Sequence, residues 1–184
     1  MKRRSFLKSA AALLPAAGMS EFVLAQAAAA PSSQEVHVVG ADQDRFGEHH
    51  SLGFSTIRFK VATGDSGGSV FVIEHEHLLK GGPPLHVHLH QDEWFYVMEG
   101  EVLFQVGSER KRLGPGESVL GPRGIPHCFS GAGEKPGRMV IAFTPAGMME
   151  KFFRDTAIPN GPALDAAVFS RYEMKYVGPS PFAN

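Results

Sequence analysis

Cysteine is almost absent from this chain, because Cys128 is the only one among 184 residues. No intrachain disulfide is therefore possible, and a packed core has to supply the stability. Beyond the first ten residues there is no basic run longer than three residues, which argues against nucleic acid or an anionic membrane as a partner. The apolar run from Ala10 to about Gly18 is too short and too Ala-rich to span a bilayer permanently.

The first thirty residues predict an export signal. Paired arginines in Arg3-Arg4-Ser5-Phe6-Leu7-Lys8 precede the apolar run, and the small residues of Ala25-Gln26-Ala27 suit a signal peptidase. The basic segment resembles the twin-arginine signal, which implies export to the periplasm or the medium and no membrane anchoring after cleavage. A plain secretory signal is the alternative. Cleavage would change the formal net charge from −1 to −4 by removing Lys2, Arg3, Arg4, Lys8 and Glu21.

The remaining chain, about 155 residues, has the size of one domain. From Ser51 to Phe143, clusters of Gly, Pro or Asp interrupt it about every ten residues, which predicts an all-β sandwich or barrel. The predicted strands include Ser69–Ile73, Glu93–Met98, Val102–Val106 and Met139–Thr144. Helical periodicity appears only in Ala146–Asp155 and Pro162–Tyr172, and we expect both helices to pack on the outside of the barrel. The barrel is expected over residues 31–160, with a C-terminal helix and tail over 161–184 packed on it.

Three histidines and one glutamate suit a metal site. His86 and His88 point to the same face of a strand, about 6.6 Å apart along the chain, and both can reach one ion at about 2.0–2.1 Å. The chain reverses near Gln91-Asp92, so Glu93 begins the next strand beside them. His127 begins a later strand and can close the ring. Such a ligand set holds one divalent transition metal and leaves coordination sites open.

Two sequence blocks resemble the paired motif of the cupin superfamily. They are Gly82 with His86-x-His88-x4-Glu93-x6-Gly100, and Gly116-x5-Pro122-x-Gly124-x2-His127. The flanking segments are similar to small single-domain cupins grouped with the quercetin dioxygenases. The resemblance implies one cupin barrel, a double-stranded β-helix or jelly roll. Two positions depart from the family pattern, since Lys80 replaces its first glycine and Gly131 replaces its asparagine.

The resemblance also implies a function, a metal-dependent dioxygenase that uses O₂ on a small phenolic or enol substrate. Glu93 would bind the metal and also take the hydroxyl proton of the substrate. Phe95, Val97 and Phe129 would form apolar pocket walls. Fe, Mn or Ni is favoured, because a protein folded before export could acquire its metal in the cytoplasm, where free copper is scarce; Cu, Co or Zn stays possible. The alternatives are a non-catalytic periplasmic protein that binds a small ligand or a metal, and a metal-dependent isomerase or decarboxylase.

Other residues have open roles at this stage. His90 shares the face of His86 and His88 but lies nearer the rim. His75 and His77 alternate on another run, and a solvated or rim position is favoured for them over a second metal site. Cys128 is expected to be a buried small residue. On the face opposite Glu93, three large apolar side chains suggest core packing or a homodimer: Trp94, Tyr96 and Met98.

Overall fold

The computed structural model describes residues 36–183, so the export signal predicted for residues 1–30 lies outside the described part. The two helices are α1 (Met149–Thr156) and α2 (Ala166–Ser170), and a short 3-10 turn covers Thr63–Ser66. No helix in the described range is long and apolar enough to cross a membrane. The strands are β1 (His50–Ser51), β2 (Thr56–Val61), β3 (Phe71–Leu78), β4 (Leu85–His88), β5 (Asp92–Glu99), β6 (Val102–Val106), β7 (Glu109–Leu113), β8 (Ser118–Gly121), β9 (His127–Gly131), β10 (Gly137–Thr144) and β11 (Met174–Gly178).

The strands form two antiparallel sheets. Six strands follow the order β1-β2-β3-β10-β5-β8, and five follow the order β11-β4-β9-β6-β7. Neighbours in each sheet are mostly distant in the sequence, which is how a jelly roll brings separate motifs together. The all-β jelly-roll barrel expected from the sequence is confirmed.

Alternation of apolar and polar residues explains how the sheets enclose their core. In β5, Glu93, Phe95 and Val97 are buried, whereas Trp94 and Tyr96 between them are exposed. Strand β10 alternates in the same way. Successive side chains of a strand point to opposite faces, so each sheet turns one apolar face inward. Phenylalanine dominates the resulting core, with Phe59, Phe71, Phe95, Phe104, Phe143 and Phe169 all fully buried.

Both helices pack on the barrel through their large apolar side chains. The ring centroid of Phe153 in α1 lies 6.2 Å from that of Phe71 and 5.9 Å from that of Phe143, both of them core residues. In α2, Phe169 packs on Phe152 at 6.1 Å. Phe153 and Phe169 thereby join the buried core cluster, whereas Lys151 on the other side of α1 is exposed.

The tail contributes a strand that the sequence did not suggest. Residues 174–178 form β11 at the edge of the five-stranded sheet, where Met174 pairs with His88 and Tyr176 pairs with His86. The C-terminal segment therefore supports β4 by backbone pairing, in addition to packing on the barrel.

Candidate metal centre

The four candidate ligands come from three strands and two sheets. His86 and His88 lie on β4, and His127 begins β9, directly opposite His86 in the register of the five-stranded sheet. Glu93 lies on β5 of the other sheet. All four side chains are buried, with 1–5 % of their surface exposed. The cluster therefore forms where the inner faces of the two sheets meet.

The ligand atoms are close enough to share one ion. Their donor atoms all lie within 4.8 Å of one another. The Nε2 atoms of His86 and His88 are 3.2 Å apart. Glu93 Oε2 lies 2.8 Å from His127 Nε2 and 3.2 Å from His88 Nε2. Two donors that are each about 2.1 Å from a metal and at right angles would be about 3.0 Å apart, so these separations fit coordination.

Backbone carbonyls orient two of the imidazoles. Nδ1 of His86 lies 2.8 Å from the carbonyl oxygen of Pro84, and Nδ1 of His127 lies 2.9 Å from that of Ile125. A carbonyl oxygen can only accept, so each Nδ1 must be the donor. The Nε2 lone pair of each neutral ring then points into the cluster. A hydrogen bond of this kind commonly fixes a metal-ligating histidine.

The facing nitrogen and oxygen atoms need a proton or a metal ion between them. His86 Nε2 faces His88 Nε2, and His127 Nε2 faces a carboxylate oxygen. Acceptors at such distances repel one another unless a proton or a metal ion lies between them. Three imidazoles and one carboxylate suit a divalent transition metal, and the residues present therefore fit the metal that the sequence implied.

The electrostatics of the cluster follow from burial and from the Glu93–His127 contact. Burial acts to raise the pKa of Glu93, but hydrogen bonds and charge attraction from His127 and His88 outweigh it and hold the pKa below its ordinary value. Burial acts to lower the pKa of His127, yet the bond with Glu93 outweighs it and raises the pKa. Burial, with the charges of His127 and His88, lowers the pKa of His86 to about 3. Without a metal, Glu93 and His127 thus form an ion pair, and His86 stays neutral.

Two glycines allow backbone and ligand to approach closely. A Cβ at Gly121 would lie 3.1 Å from Nδ1 of His127. A Cβ at Gly82 would lie 1.7 Å from the carbonyl oxygen of Phe129, and Gly82 has a φ of +65°. Only glycine fits that second position, because both the space and the backbone conformation exclude a side chain. Gly82 thereby fixes the β3–β4 connection against β9, the strand that carries His127.

The cluster opens into a narrow apolar cavity whose water-accessible volume is about 30 Å³. His86, His88 and Glu93 line it together with side chains from both sheets and both helices. Among the described residues that line it there is no lysine or arginine. The ring of Phe169 in α2 stacks on that of His86, with centroids 5.2 Å apart and planes 3° from parallel. The C-terminal helices therefore form one wall of the cavity.

Only one of the three predicted pocket residues lines the cavity. Phe129 lines the cavity, whereas Phe95 and Val97 lie in the core behind the cluster and are not among its lining residues. The alternation of residues along the strand predicted that both side chains point into the barrel, and they do. It could not predict how far each lies from the cavity. The ring of Phe95 lies 6.1 Å from that of His127, so it supports a ligand rather than forming a wall.

The remaining histidines and the cysteine also have defined places. His90 and His77 are exposed and lie outside the ligand cluster. His75, expected to be solvated or at the rim, is instead 1 % exposed and lines the cavity, so that interpretation was wrong. Cys128 is buried, and burial raises the pKa of its thiol to about 12, which leaves it protonated at neutral pH. The pattern of β3 gave no signal for the depth of His75.

Comparison with known proteins supports the cupin superfamily. Residues 75–143 match the family described as the cupin domain, a range that contains all four candidate ligands. No curated protein matches the chain.

Solved structures agree on the fold. An RmlC-like cupin from Shewanella frigidimarina is similar with a TM-score of 0.51 at 20% identity, covering 62% of this chain and 96% of that one. Streptomyces PAC13 with uridine gives a TM-score of 0.50 at 14% identity, covering 72% and 84%. The polyketide cyclase RemF from Streptomyces resistomycificus is 26% identical with a TM-score of 0.44, covering 50% and 66%. At these identities the first two structures show a shared fold and nothing more about activity.

Proposed function

On the premise of a cupin-fold protein, we propose that this chain is a metal-dependent oxygenase, most closely a dioxygenase, acting on a small phenolic or enol substrate. One observation carries the proposal: a buried set of three histidines and one glutamate faces an apolar cavity. His86, His88, Glu93 and His127 would hold one divalent metal, with Fe, Mn or Ni favoured. When bound, the metal would act as a Lewis acid with open positions for an enolate oxygen and O₂.

Glu93 is the residue to which we assign proton transfer. It is the only carboxylate among the described residues that line the cavity, and it also belongs to the ligand set. A carboxylate in reach of a bound hydroxyl can accept its proton as a general base. Phenols and enols are acidic enough to give up a proton to such a group, which favours this substrate class over simple alcohols.

The cavity walls restrict the substrate further. Phe129, Phe143 and Phe153 line the cavity, and aromatic rings of this kind pack on flat apolar molecules. Because no lysine or arginine lines the described cavity, only the metal ion itself would offer a counter-charge to a phosphate group. The site therefore favours an uncharged aromatic substrate over a sugar phosphate.

The test compares oxygen consumption by the Ni²⁺-, Mn²⁺- and Fe²⁺-loaded protein across a panel of phenols and enols. Glu93→Gln keeps the size of the side chain but removes the base, so turnover should fall by about 10²-fold or more while part of the metal is retained. Asp92→Asn is the matched control, because Asp92 is the adjacent carboxylate and pairs with Arg123 away from the cluster.

Each other outcome favours another function. Full activity of Glu93→Gln would show that Glu93 is not the base. Product formation without oxygen would favour an isomerase or decarboxylase that uses the metal only as a Lewis acid. Saturable binding without any product would favour a non-catalytic binding protein.

We also propose that the protein works as a homodimer after export. Trp94, Tyr96 and Met98 on the outer face of β5 are 39 %, 37 % and 36 % exposed, and Leu120 beside Trp94 is 48 % exposed. A contiguous apolar patch of this kind is typical of a protein interface. Export through the twin-arginine route to the periplasm or the medium rests on the sequence of residues 1–30.

A further inference from the structure

His75 is a buried histidine in the cavity that the metal site does not use. It lies on β3, the third strand of the six-stranded sheet, and its neighbours are the rings of Phe54, Phe129 and Phe153. Only 1 % of its surface is exposed. Its Nε2 has no hydrogen-bond partner among the described residues.

Ser55 determines which nitrogen of His75 carries the hydrogen. Ser55 Oγ lies 2.8 Å from His75 Nδ1, and within the described range this is the hydroxyl's only hydrogen-bond partner. The serine hydrogen is satisfied only if the hydroxyl donates to Nδ1. The ring hydrogen then lies on Nε2, at the opposite edge. Burial lowers the pKa of His75 to about 4, against the attraction of Glu93, so the ring is neutral at pH 7.

A buried N–H donor without a hydrogen-bond partner destabilises a folded protein. The group that accepts a hydrogen bond from Nε2 of His75 therefore has to be identified. A lone water molecule is a poor candidate, because buried water usually makes about three hydrogen bonds and the neighbours of His75 are aromatic rings. An oxygen carried on an apolar ligand needs only this one bond. It would enter the same cavity that His86, His88 and Glu93 line.

We propose that His75 is a second polar contact for the molecule bound at the metal, donating a hydrogen bond from Nε2 to an oxygen remote from the metal-bound end. This inference rests on the proposed function and narrows its substrate class. The ligand is a small aromatic molecule with a metal-binding phenol or enol at one end and a carbonyl, ether or hydroxyl oxygen at the other. The rings around His75 hold the apolar part between the two contacts.

The test uses two probes with the Ni²⁺-loaded protein under anaerobic conditions. Catechol offers only metal-binding oxygens, whereas 3,4-dihydroxybenzaldehyde adds a carbonyl oxygen on the far side. The aldehyde also acidifies the hydroxyl groups, so the informative quantity is how the ratio of the two affinities changes on mutation. Titration calorimetry gives both affinities, and metal analysis is run on each variant.

His75→Leu should reduce the preference for the aldehyde by about tenfold, with catechol affinity and metal content unchanged. His75→Gln, which keeps an N–H donor, should retain part of the preference, a rescue that a purely structural role would not give. His50→Leu is the matched control, because His50 is also a buried histidine with an unpartnered nitrogen in the described range, but it does not line the cavity.

Two results would overturn the inference. The same affinity ratio in His75→Leu and in the wild type would remove His75 from ligand recognition while leaving the metal site intact. Failure of catechol to bind the Ni²⁺-loaded wild type would instead defeat the proposed function, and the role of His75 with it.

Discussion

The neutral state of His75 predicts how the metal-free protein responds to acid. Its pKa is lowered from 6.5 to about 4 in the folded state, mainly by burial. Above pH 6.5 the ring is neutral in both the folded and the unfolded chain and has no effect. Between pH 6.5 and pH 4 the unfolded chain binds a proton that the folded chain excludes, so the free energy of unfolding falls as the pH falls. The shift corresponds to about 3 kcal/mol over this window, at about 1.4 kcal/mol per pH unit.

Other groups titrate in the same range, including His86, so the measurement has to be a difference. Free energies of unfolding are obtained from denaturant titrations of the metal-free wild type and of His75→Leu at several pH values from 7 to 4. The wild type should lose about 3 kcal/mol more than the variant over this range, because the other groups are common to both proteins. In His75→Leu, the slope of the unfolding free energy against pH should be smaller by an amount that corresponds to the uptake of at most one proton on unfolding. Parallel curves would show that His75 takes up a proton in the folded protein and is not held neutral.

Four further predictions concern the metal centre, the fold, the assembly and export. His127→Ala should lose most bound metal and keep its circular dichroism spectrum, since one lost donor leaves the packed core in place; unchanged metal content would contradict the site. Gly82→Ala should destabilise the protein by several kcal/mol more than Gly67→Ala, because both glycines have φ near +60° but only the new Cβ at residue 82 would lie 1.7 Å from a backbone oxygen; denaturant midpoints measure this. The mature protein should elute as a dimer at micromolar concentration and Trp94→Lys as a monomer, whereas a monomeric wild type would refute the interface. Replacing Arg3-Arg4 by Lys-Lys should retain the protein in the cytoplasm in cell fractionation, and efficient export would refute the twin-arginine route.

The strands and the metal cluster could be predicted from the sequence because both depend on alternation. The run Val102–Val106 coincides with β6, and the run Glu93–Met98 lies within β5. His86 and His88 are two residues apart on one strand, and this spacing alone places their side chains on one face. The structure brings them together with Glu93 and His127.

The two departures from the cupin pattern have a steric explanation that only the structure supplies. Lys80 occupies the position of the family's first glycine, but Gly82 makes the close backbone approach two residues later. Gly131 stands where the family has asparagine, and a Cβ there would lie 2.6 Å from the carbonyl oxygen of Leu78. A side chain at residue 131 would therefore displace the end of β3 in this chain.

Alternation failed on β3, where His75 and His77 share parity but not environment. His77 has a φ of +50°, and the pairing of β10 with β3 is irregular between Gly137 and Met139. This irregularity turns His77 to solvent while His75 stays in the barrel. The outward Glu74 is buried as well, since Arg138 and Lys60 pair with it on the outer face of the sheet. Burial alone therefore does not distinguish the two faces of this strand.

The role of the C-terminal helices depends on contacts that no local pattern encodes. The run Ala146–Asp155 shows an apolar side, but nothing in it indicates whether that side meets the outside of the barrel or its interior. The contact of Phe169 with His86 joins residues more than eighty positions apart, and it places an aromatic ring from α2 flat against a candidate metal ligand. Any movement of α2 would change the packing around that ligand and the wall of the cavity together. A segment that sequence periodicity identified only as a helix thus supplies both a wall of the cavity and the ring that packs on His86.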